Sequence, residues 1–391
     1  MATKIIDLDY HSLPGEITGL EGYDRVLVLV RLCGRPVSQI RIPVKTGRVS
    51  GKDLREGVSQ SLDWNFWQQW LRNYLSINSC EKENPFREPV TISVCTRDRP
   101  EDLSRCLQAI KALPERGQEI IVVDSCSSTE ATKQVVDEFE GVRYVRENYP
   151  GLNRARNRAL KEAKTGLVVF TDDDAVVDHG WLDAINATFN DPLVLCVTGL
   201  TMPLELETEA QEIFERYSSF NRGFSRRVYD NYSISPFLSG HAGAGANMAL
   251  RSKVLELVGP FDEALDAGTP THSGGDNEMF SRILACGFKI VYEPGALSWH
   301  RHRRSWKELR KTIYGYGVGI YAAWTRSLLI DREFTVLLVA LSWLLYGQIP
   351  ALVHSIFRRP GSKPLSLLLE ELMGCFVGPW AYLYSRLQLN K

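Results

Sequence analysis

Residues 166–181 read GLVVFTDDDAVVDHGW. The apolar run from Leu167 to Phe170 leads straight into Asp172, Asp173 and Asp174. Adjacent carboxylates repel, and the end of a buried strand is a costly place to keep them ionised. A hard divalent cation removes that cost, because closely spaced carboxylates are good ligands for Mg2+ or Mn2+. The remaining faces of such an ion take phosphate oxygens and stabilise a departing pyrophosphate by Lewis-acid action. The competing reading is an acidic turn that caps the helix opening near Trp181.

Three other stretches carry similar options. Asp124 closes the apolar run EIIVVD, where an acid either contacts a ribose or base or caps a turn. Asp276 follows a glycine pair in SGGDNEMFSRIL. It is either a helix N-terminal charge or a general base facing a cleft, with DAGTPTHSGG before it as a loop that closes over substrate. His300 and His302 lie in ALSWHRHRRS, where a neutral imidazole completes a metal shell. His300 is the better candidate, since it follows Trp299 directly at the end of the apolar stretch.

Positioning these residues requires a sheet. VTISVCT (90–96), EIIVVDS (119–125), VRYVRE (142–147) and GLVVFTD (166–172) read as strands. They alternate with helical patterns over 101–113, 129–139 and 153–164. That alternation implies an α/β fold with a mostly parallel sheet covered on both faces. Ligands in such sheets collect at the carboxyl ends of the strands, where Thr96-Arg97-Asp98, Asp124-Ser125 and Asp172–Asp174 all fall.

The remaining texture divides the chain into residues 1–88, 89–300 and 301–391. The first block reads as a small α+β accessory domain, with strands at Val26–Leu32 and Ile40–Val44. An amphipathic stretch from Leu54 to Leu75 follows, and its Trp64, Trp67 and Trp70 read as packing residues. SCEKENPFREP (79–89) reads as a linker. The last block is basic and then apolar, and reads as helical.

Bulk composition excludes several classes. The chain has 391 residues, a formal net charge of −1 and 24% charged residues, so no global field points to nucleic acid. The eight cysteines show no CxxC spacing, which argues against zinc and thioredoxin-like chemistry and suits a reducing compartment. MATKIIDLDYHS lacks the pattern of a secretory signal. Neither GxGxxG nor GxxxxGK[ST] occurs, so a dinucleotide fold of the usual kind and a P-loop are unsupported.

Eight stretches in order resemble an inverting family 2 glycosyltransferase of the GT-A fold, over about residues 88–320. They are VTISVCTRDRP, EIIVVDSCSS, GLNRARNRAL, GLVVFTDDDAVVDHGWL, GAGANMALR, GPFDEAL, SGGDNEMFSRIL and SWHRHRR. The resemblance implies a bacterial-type, membrane-associated enzyme with a Rossmann-like catalytic domain. It implies donor contacts from Thr96, Arg97, Asp98 and Asp124, with Arg154 and Arg156 supporting the nucleotide half. Asp172 and Asp174 match the outer members of the DxD motif. Asp172 faces the ribose, Asp173 lies on the donor side without a separate role, and Asp174 with His300 holds Mn2+ or Mg2+. Asp276 matches the catalytic base. The family usually writes this segment Glu-Asp, whereas Gly275 stands here in place of the first acid. The implied donor is a nucleoside-diphosphate sugar, with UDP favoured, and the implied acceptor a glycan or lipid-linked glycan.

The run FTVLLVALSWLLYGQIPALVHSIF (334–357) is long enough to cross a bilayer. A crossing would carry the basic RRPGSKP to the far side, against the positive-inside preference. A bent, interfacial or re-entrant hairpin with its basic flanks on anionic lipid fits better. That implies a peripheral or monotopic enzyme on the cytoplasmic side of the cell membrane, building surface glycan or polysaccharide. The alternatives are a nucleotidyltransferase, for which TRDRPEDLSR lacks the glycine-rich loop, and an inactive partner subunit of the same fold.

Overall fold

The computed structural model describes residues 2–75 and 88–389. The proposed linker at 79–89 therefore lies almost wholly outside the described residues.

The chain opens with β1 (Thr3–Asp9), β2 (Glu16–Ile17), β3 (Arg25–Leu32), β4 (Arg35–Pro43) and β5 (Val49–Ser50). The larger sheet has the order β1-β3-β4, with β1 parallel and β4 antiparallel to β3. Alternate residues of β3 serve two cores, as strand geometry dictates. Val26, Val28 and Val30 pack with Leu54 and Val58 inside this block. Leu27 and Leu29 instead join the core that holds Ile121, Phe170 and Met279. The first block is thus built into the rest of the molecule rather than tethered to it. Arg31 pairs with Asp178 at 2.6 Å and Arg35 with Glu293 at 2.8 Å across the same junction.

The amphipathic stretch forms two helices, α1 (Gly51–Ser61) and α2 (Trp64–Tyr74). Asp63 accepts from the Phe66 amide at 3.0 Å and starts a new helix there. The packing role expected for the tryptophans holds for Trp70, which packs against the core of this block, but not for Trp64 and Trp67. Trp64 is 73% exposed and Trp67 46%, while Phe66, at 1%, is the residue that enters the core. Trp70 is half-buried and stacks on Tyr74 at 5.2 Å.

The central sheet follows with β6 (Val90–Thr96), α3 (Pro100–Lys111), β7 (Glu119–Ser125), α4 (Ala131–Asp137), β8 (Val142–Glu147), α5 (Leu152–Glu162) and β9 (Leu167–Asp172). Then come β10 (Ala175–Val177), α6 (Trp181–Thr188), β11 (Val194–Pro203), α7 (Glu209–Tyr217), β12 (Arg227–Tyr229), β13 (Asn247–Arg251), α8 (Val254–Leu257), α9 (Gly275–Ala285) and β14 (Lys289–His300). Strand order is β10-β14-β11-β13-β9-β6-β7-β8, with β12 on β14. The half containing β9, β6, β7 and β8 is wholly parallel. β13 is antiparallel to both β9 and β11, and joins this half to the parallel pair of β11 and β14.

The C-terminal block is helical. α10 (Trp306–Arg326) begins with a capping box between Ser305 and Glu308. α11 (Val336–Ser342) continues through a π turn into α12 (Ile349–Ile356), giving one run, Val336–Ile356, that is long and apolar enough to cross a membrane. α13 (Leu365–Leu389) lies alongside α10 in the same direction, with Arg310 meeting Glu370 and the Tyr314 carbonyl meeting Gly374. A Cβ at Gly374 would sit 2.2 Å from that carbonyl, so the two helices approach backbone to backbone.

Candidate active site

Register assembles the first half of the site. Thr96 stands opposite Asp124, and Cys95 opposite Asp172, so the ends of β6, β7 and β9 form one edge. The chain then folds back as β10, which pairs with the end of β14 and sets Ala175 against His300. Asp172, Asp174 and His300 consequently bring ligand-type atoms to within 4.8 Å of one another.

The three aspartates diverge in environment. Asp174 is buried, and Arg303 Nη1 donates to its Oδ2 at 3.1 Å. His300 Nε2 lies 3.0 Å from Asp174 Oδ1 and 3.8 Å from Asp172 Oδ2. Apart from this imidazole, the buried Oδ1 has no polar partner. Burial would raise the Asp174 carboxyl, but His300, Arg303 and Arg99 together hold it below the usual carboxylate range. Burial and the Asp174 charge raise Asp172. Asp173 turns the other way, accepting from Thr96 Oγ1 at 2.7 Å and from Arg99 Nη1 at 3.1 Å, and burial pushes it up to about 6.

A divalent cation fits this donor set. Two carboxylates and an imidazole are suitable ligands, and a sparsely partnered carboxylate oxygen in the interior otherwise carries a desolvation penalty. Burial alone lowers His300, but the charges of Asp174 and Asp172 raise it overall. Its proton would offset part of the carboxylate repulsion and would leave on metal binding.

The remaining donor-side candidates are scattered in their exposure. Asp98 sits at φ 55° and accepts from Ser128 N at 2.7 Å and Ser128 Oγ at 2.8 Å, contacts that hold its carboxyl low. Arg97 is half in solvent, 3.6 Å from Asp98. Asp124 is fully buried, and protein groups already use both of its oxygens. Ser127 N donates to Oδ1 at 2.8 Å, Tyr144 Oη to Oδ2 at 2.7 Å and Arg146 Nη1 to Oδ2 at 3.1 Å. Arg154 lies at the rim, 5.1 Å from the Tyr149 ring centroid. Arg156, two residues on along α5, turns inward and pairs with Asp266 at 2.8 Å. The structure thus separates the two arginines, and the buried Arg156 lies within electrostatic reach of both Asp276 and Asp172.

Asp276 is the second residue of α9, and its Oδ2 accepts from the Gly245 amide at 2.7 Å. A Cβ at Gly245 would lie 2.6 Å from Arg156 Nη2 and 3.0 Å from Asp276 Cβ, so any larger residue would displace the guanidinium and crowd Asp276. The loop before α9 is closely stitched rather than a loose flap. Asp266 N bonds Thr271 Oγ1 at 2.9 Å, Ser273 Oγ bonds the Gly315 carbonyl at 2.8 Å, and Leu152 N bonds the Ala267 carbonyl at 2.9 Å.

Two arginines complete the cluster without having been singled out in sequence. Arg99 and Arg303 are partly exposed and lean on Asp174 from α3 and from the segment after β14. Their signal was present in TRDRP and HRHRR, but nothing local tells which basic residue turns inward.

A sheet that is parallel at a carboxylate-lined edge, extended by an antiparallel strand toward a second acid on a facing helix, defines the GT-A class of glycosyltransferase fold. Residues 91–258 match the family model Glycosyl transferase family 2 and form a domain of that kind. A pre-mycofactocin glycosyltransferase of Mycobacterium tuberculosis is 28% identical over 238 residues, 59% of this chain and 47% of the relative. The chain thus spans about half the length of that relative. Glycosyltransferase AglE of Haloferax volcanii is 23% identical over 73% of this chain and 90% of the relative. The fold is also similar to a mannosyltransferase of Pyrobaculum calidifontis, solved with GDP-Man and Mn2+. The TM-score is 0.52 at 15% identity, covering 78% of this chain and 94% of that one.

Proposed function

We propose that the protein is a metal-dependent, inverting glycosyltransferase that moves a sugar from a nucleoside diphosphate to an acceptor hydroxyl. One observation carries the reading: the buried cluster of Asp172, Asp174 and His300 at the edge of the family 2 domain. When bound there, Mn2+ or Mg2+ would neutralise charge on the leaving diphosphate. Arg99 and Arg303 flank the same carboxylates and would turn to the diphosphate as the ion takes over Asp174. Asp276 removes the proton from the acceptor hydroxyl as that oxygen bonds the anomeric carbon. The bond to the diphosphate breaks on the opposite face, so configuration inverts. Holding the two substrates at attack distance supplies much of the acceleration.

The helical block supports work at a membrane surface. Phe376 (77%) and Trp380 (72%) on α13 are exposed, as are Leu337, Leu338 and Tyr346 on the preceding run. That run is about 31 Å long by helix geometry, yet both of its flanks return to the catalytic body. Before it, Arg326 pairs with Asp262 at 3.3 Å and Glu278 at 3.0 Å. After it, Tyr217 Oη donates to the Ser362 carbonyl at 2.8 Å. A crossing would carry one flank a bilayer thickness away, so these contacts favour a monotopic layer lying in the cytoplasmic membrane face, with a glycan or lipid-linked glycan as acceptor.

The test is a thermal-shift screen of UDP-, GDP- and dTDP-sugars with and without Mn2+. At least one nucleotide sugar should raise the melting temperature only when metal is present. No shift with any of them, metal included, would contradict the reading.

A further inference from the structure

Position 275 lacks the acid that the family places before its base. A Cβ at Gly275 would lie 2.5 Å from Asp266 Oδ2, and 2.3 and 2.5 Å from Asn153 Nδ2 and Oδ1. The space a side chain at 275 would enter is therefore already filled, and part of what fills it is a carboxylate.

Asp266 is held there at some expense. Its φ is 82°, a left-handed conformation that a non-glycine residue rarely adopts. It is 7% exposed, and burial pushes its carboxyl above the usual range against the pull of Arg156. Strain of this kind concentrates at functional sites. Oδ1 accepts from the Ala267 amide at 2.8 Å, and Oδ2 accepts from Arg156 Nη1 at 2.8 Å. Arg156 also donates to Asn153 Oδ1 at 3.2 Å, and its Nη2 and Asp276 both lie beside Gly245, near enough for their charges to interact. One buried guanidinium thus lies between two carboxylates, Asp266 and Asp276. The other polar groups near Asp276 are Arg222, Tyr316 of α10 and Cys196 of β11.

We infer that Asp266 is a positioning residue of the catalytic site, replacing from the preceding loop the acid missing at position 275 and sharing Arg156 with Asp276. Its carboxylate fixes the guanidinium and keeps Arg156 from being neutralised by Asp276 alone. The base so retains a negative neighbour and a fixed orientation toward the acceptor. The inference rests on Asp276 being the base.

The experiment compares the full-length wild type with D266N, D266G and the double variant D266G/G275E. Turnover is followed as Mn2+-dependent hydrolysis of whichever UDP-, GDP- or dTDP-sugar the wild type cleaves, and affinity as the thermal shift given by the same nucleotide sugar. D266N should lose about tenfold or more in kcat, the scale on which supporting partners act, with donor affinity within about threefold. D266G should lose similar activity and melt below wild type, because the buried Arg156 loses a carboxylate partner and glycine's relief of the left-handed strain offsets only part of that cost. G275E added to D266G should restore kcat to within about threefold once the Asn153 amide turns aside. The inference is overturned if D266N keeps kcat within about twofold, or if kcat and donor affinity fall together. A folded double variant no better than D266G would overturn it as well. Should D266G not fold, the D266N result decides. A wild type that cleaves and binds none of the three nucleotide-sugar classes fails the reading of Asp276 itself, before any variant is compared.

Discussion

Removing the Glu278 carboxylate should release the helical block from the catalytic body at a large cost in stability. Glu278, on α9, has a fully buried side chain. Arg282 pairs with it through Nε, and through Nη2 at 2.8 Å; Arg326, from the end of α10, lies 3.0 Å away. Both arginines are themselves largely buried, at 13% and 11% side-chain exposure. Asp262 adds a second carboxylate, 3.3 Å from Arg326, and accepts from Tyr382 of α13 at 2.9 Å. Glu278→Ala leaves two guanidinium groups short of their central partner. Breaking a buried pair from one side costs about 3–5 kcal/mol, because an uncompensated charge stays behind. R326M should cost less, about 1–2 kcal/mol, since Glu278 keeps Arg282 and the methionine fills the space. Urea unfolding followed by tryptophan fluorescence measures both, with midpoints read at constant slope. If E278A costs under about 1 kcal/mol, or if R326M costs more than E278A, the carboxylate is not the hub of the junction. The case for a helical layer fixed to the catalytic body would then lose its main support.

Other outcomes follow from single contacts. Glu119 accepts from Thr91 Oγ1 at 2.8 Å and from Arg143 at 3.0 Å; burial opposes these bonds, but together they hold its carboxyl below the ordinary value. That stability is complete above the unfolded pKa and is lost as pH falls through the lower folded one. E119Q should therefore be weaker than wild type by about 0.5–1.5 kcal/mol at pH 7 and indistinguishable from it well below about pH 4. W64S/W67S should shift stability by under about 1 kcal/mol, whereas Trp181→Ala should cost about 3–5 kcal/mol, as Trp181 is fully buried and donates to Asn247. The same denaturant series checks both. Anionic phosphatidylglycerol vesicles should carry the protein in flotation, and F376S/W380S should weaken that binding about tenfold or more; unchanged flotation would assign binding to another surface.

Parallel strands were the most legible part of the sequence. β6 and β7 begin and end where their apolar runs do, because strands buried on both faces read as near-continuous hydrophobic runs, while the edge strand β8 shows as the alternation VRYVRE. The antiparallel insertion was harder to see. β13 is only five residues, NMALR, and its pairing with β9 and β11 depends on partners about fifty or more residues away. The exposure of Trp64 and Trp67 on α2 was not legible, because helical spacing says which residues share a face, not which face is covered. Asp172, Asp174, His300 and Asp276 could be picked out from local pattern, as Asp172 and His300 end strands, Asp174 lies in the turn that follows, and Asp276 opens a helix. Asp266 could not. Its significance comes from a left-handed turn and from Arg156, 110 residues earlier, and neither leaves a mark in the local sequence. The repulsion among the three aspartates resolves unevenly: Asp173 is absorbed by Thr96 and Arg99, while Asp172 and Asp174 remain with His300 as the donor set.

The central claim is that Asp276 is the base and that Asp172, Asp174 and His300 hold the metal on which the donor binds. Asp276→Asn tests it most directly, in the presence of Mn2+ and the nucleotide sugar that stabilises the wild type. The account predicts a loss of turnover of about 10²- to 10⁴-fold, with donor affinity within about threefold and metal dependence of binding unchanged. Turnover near the wild-type rate, or a parallel loss of donor binding, would contradict it.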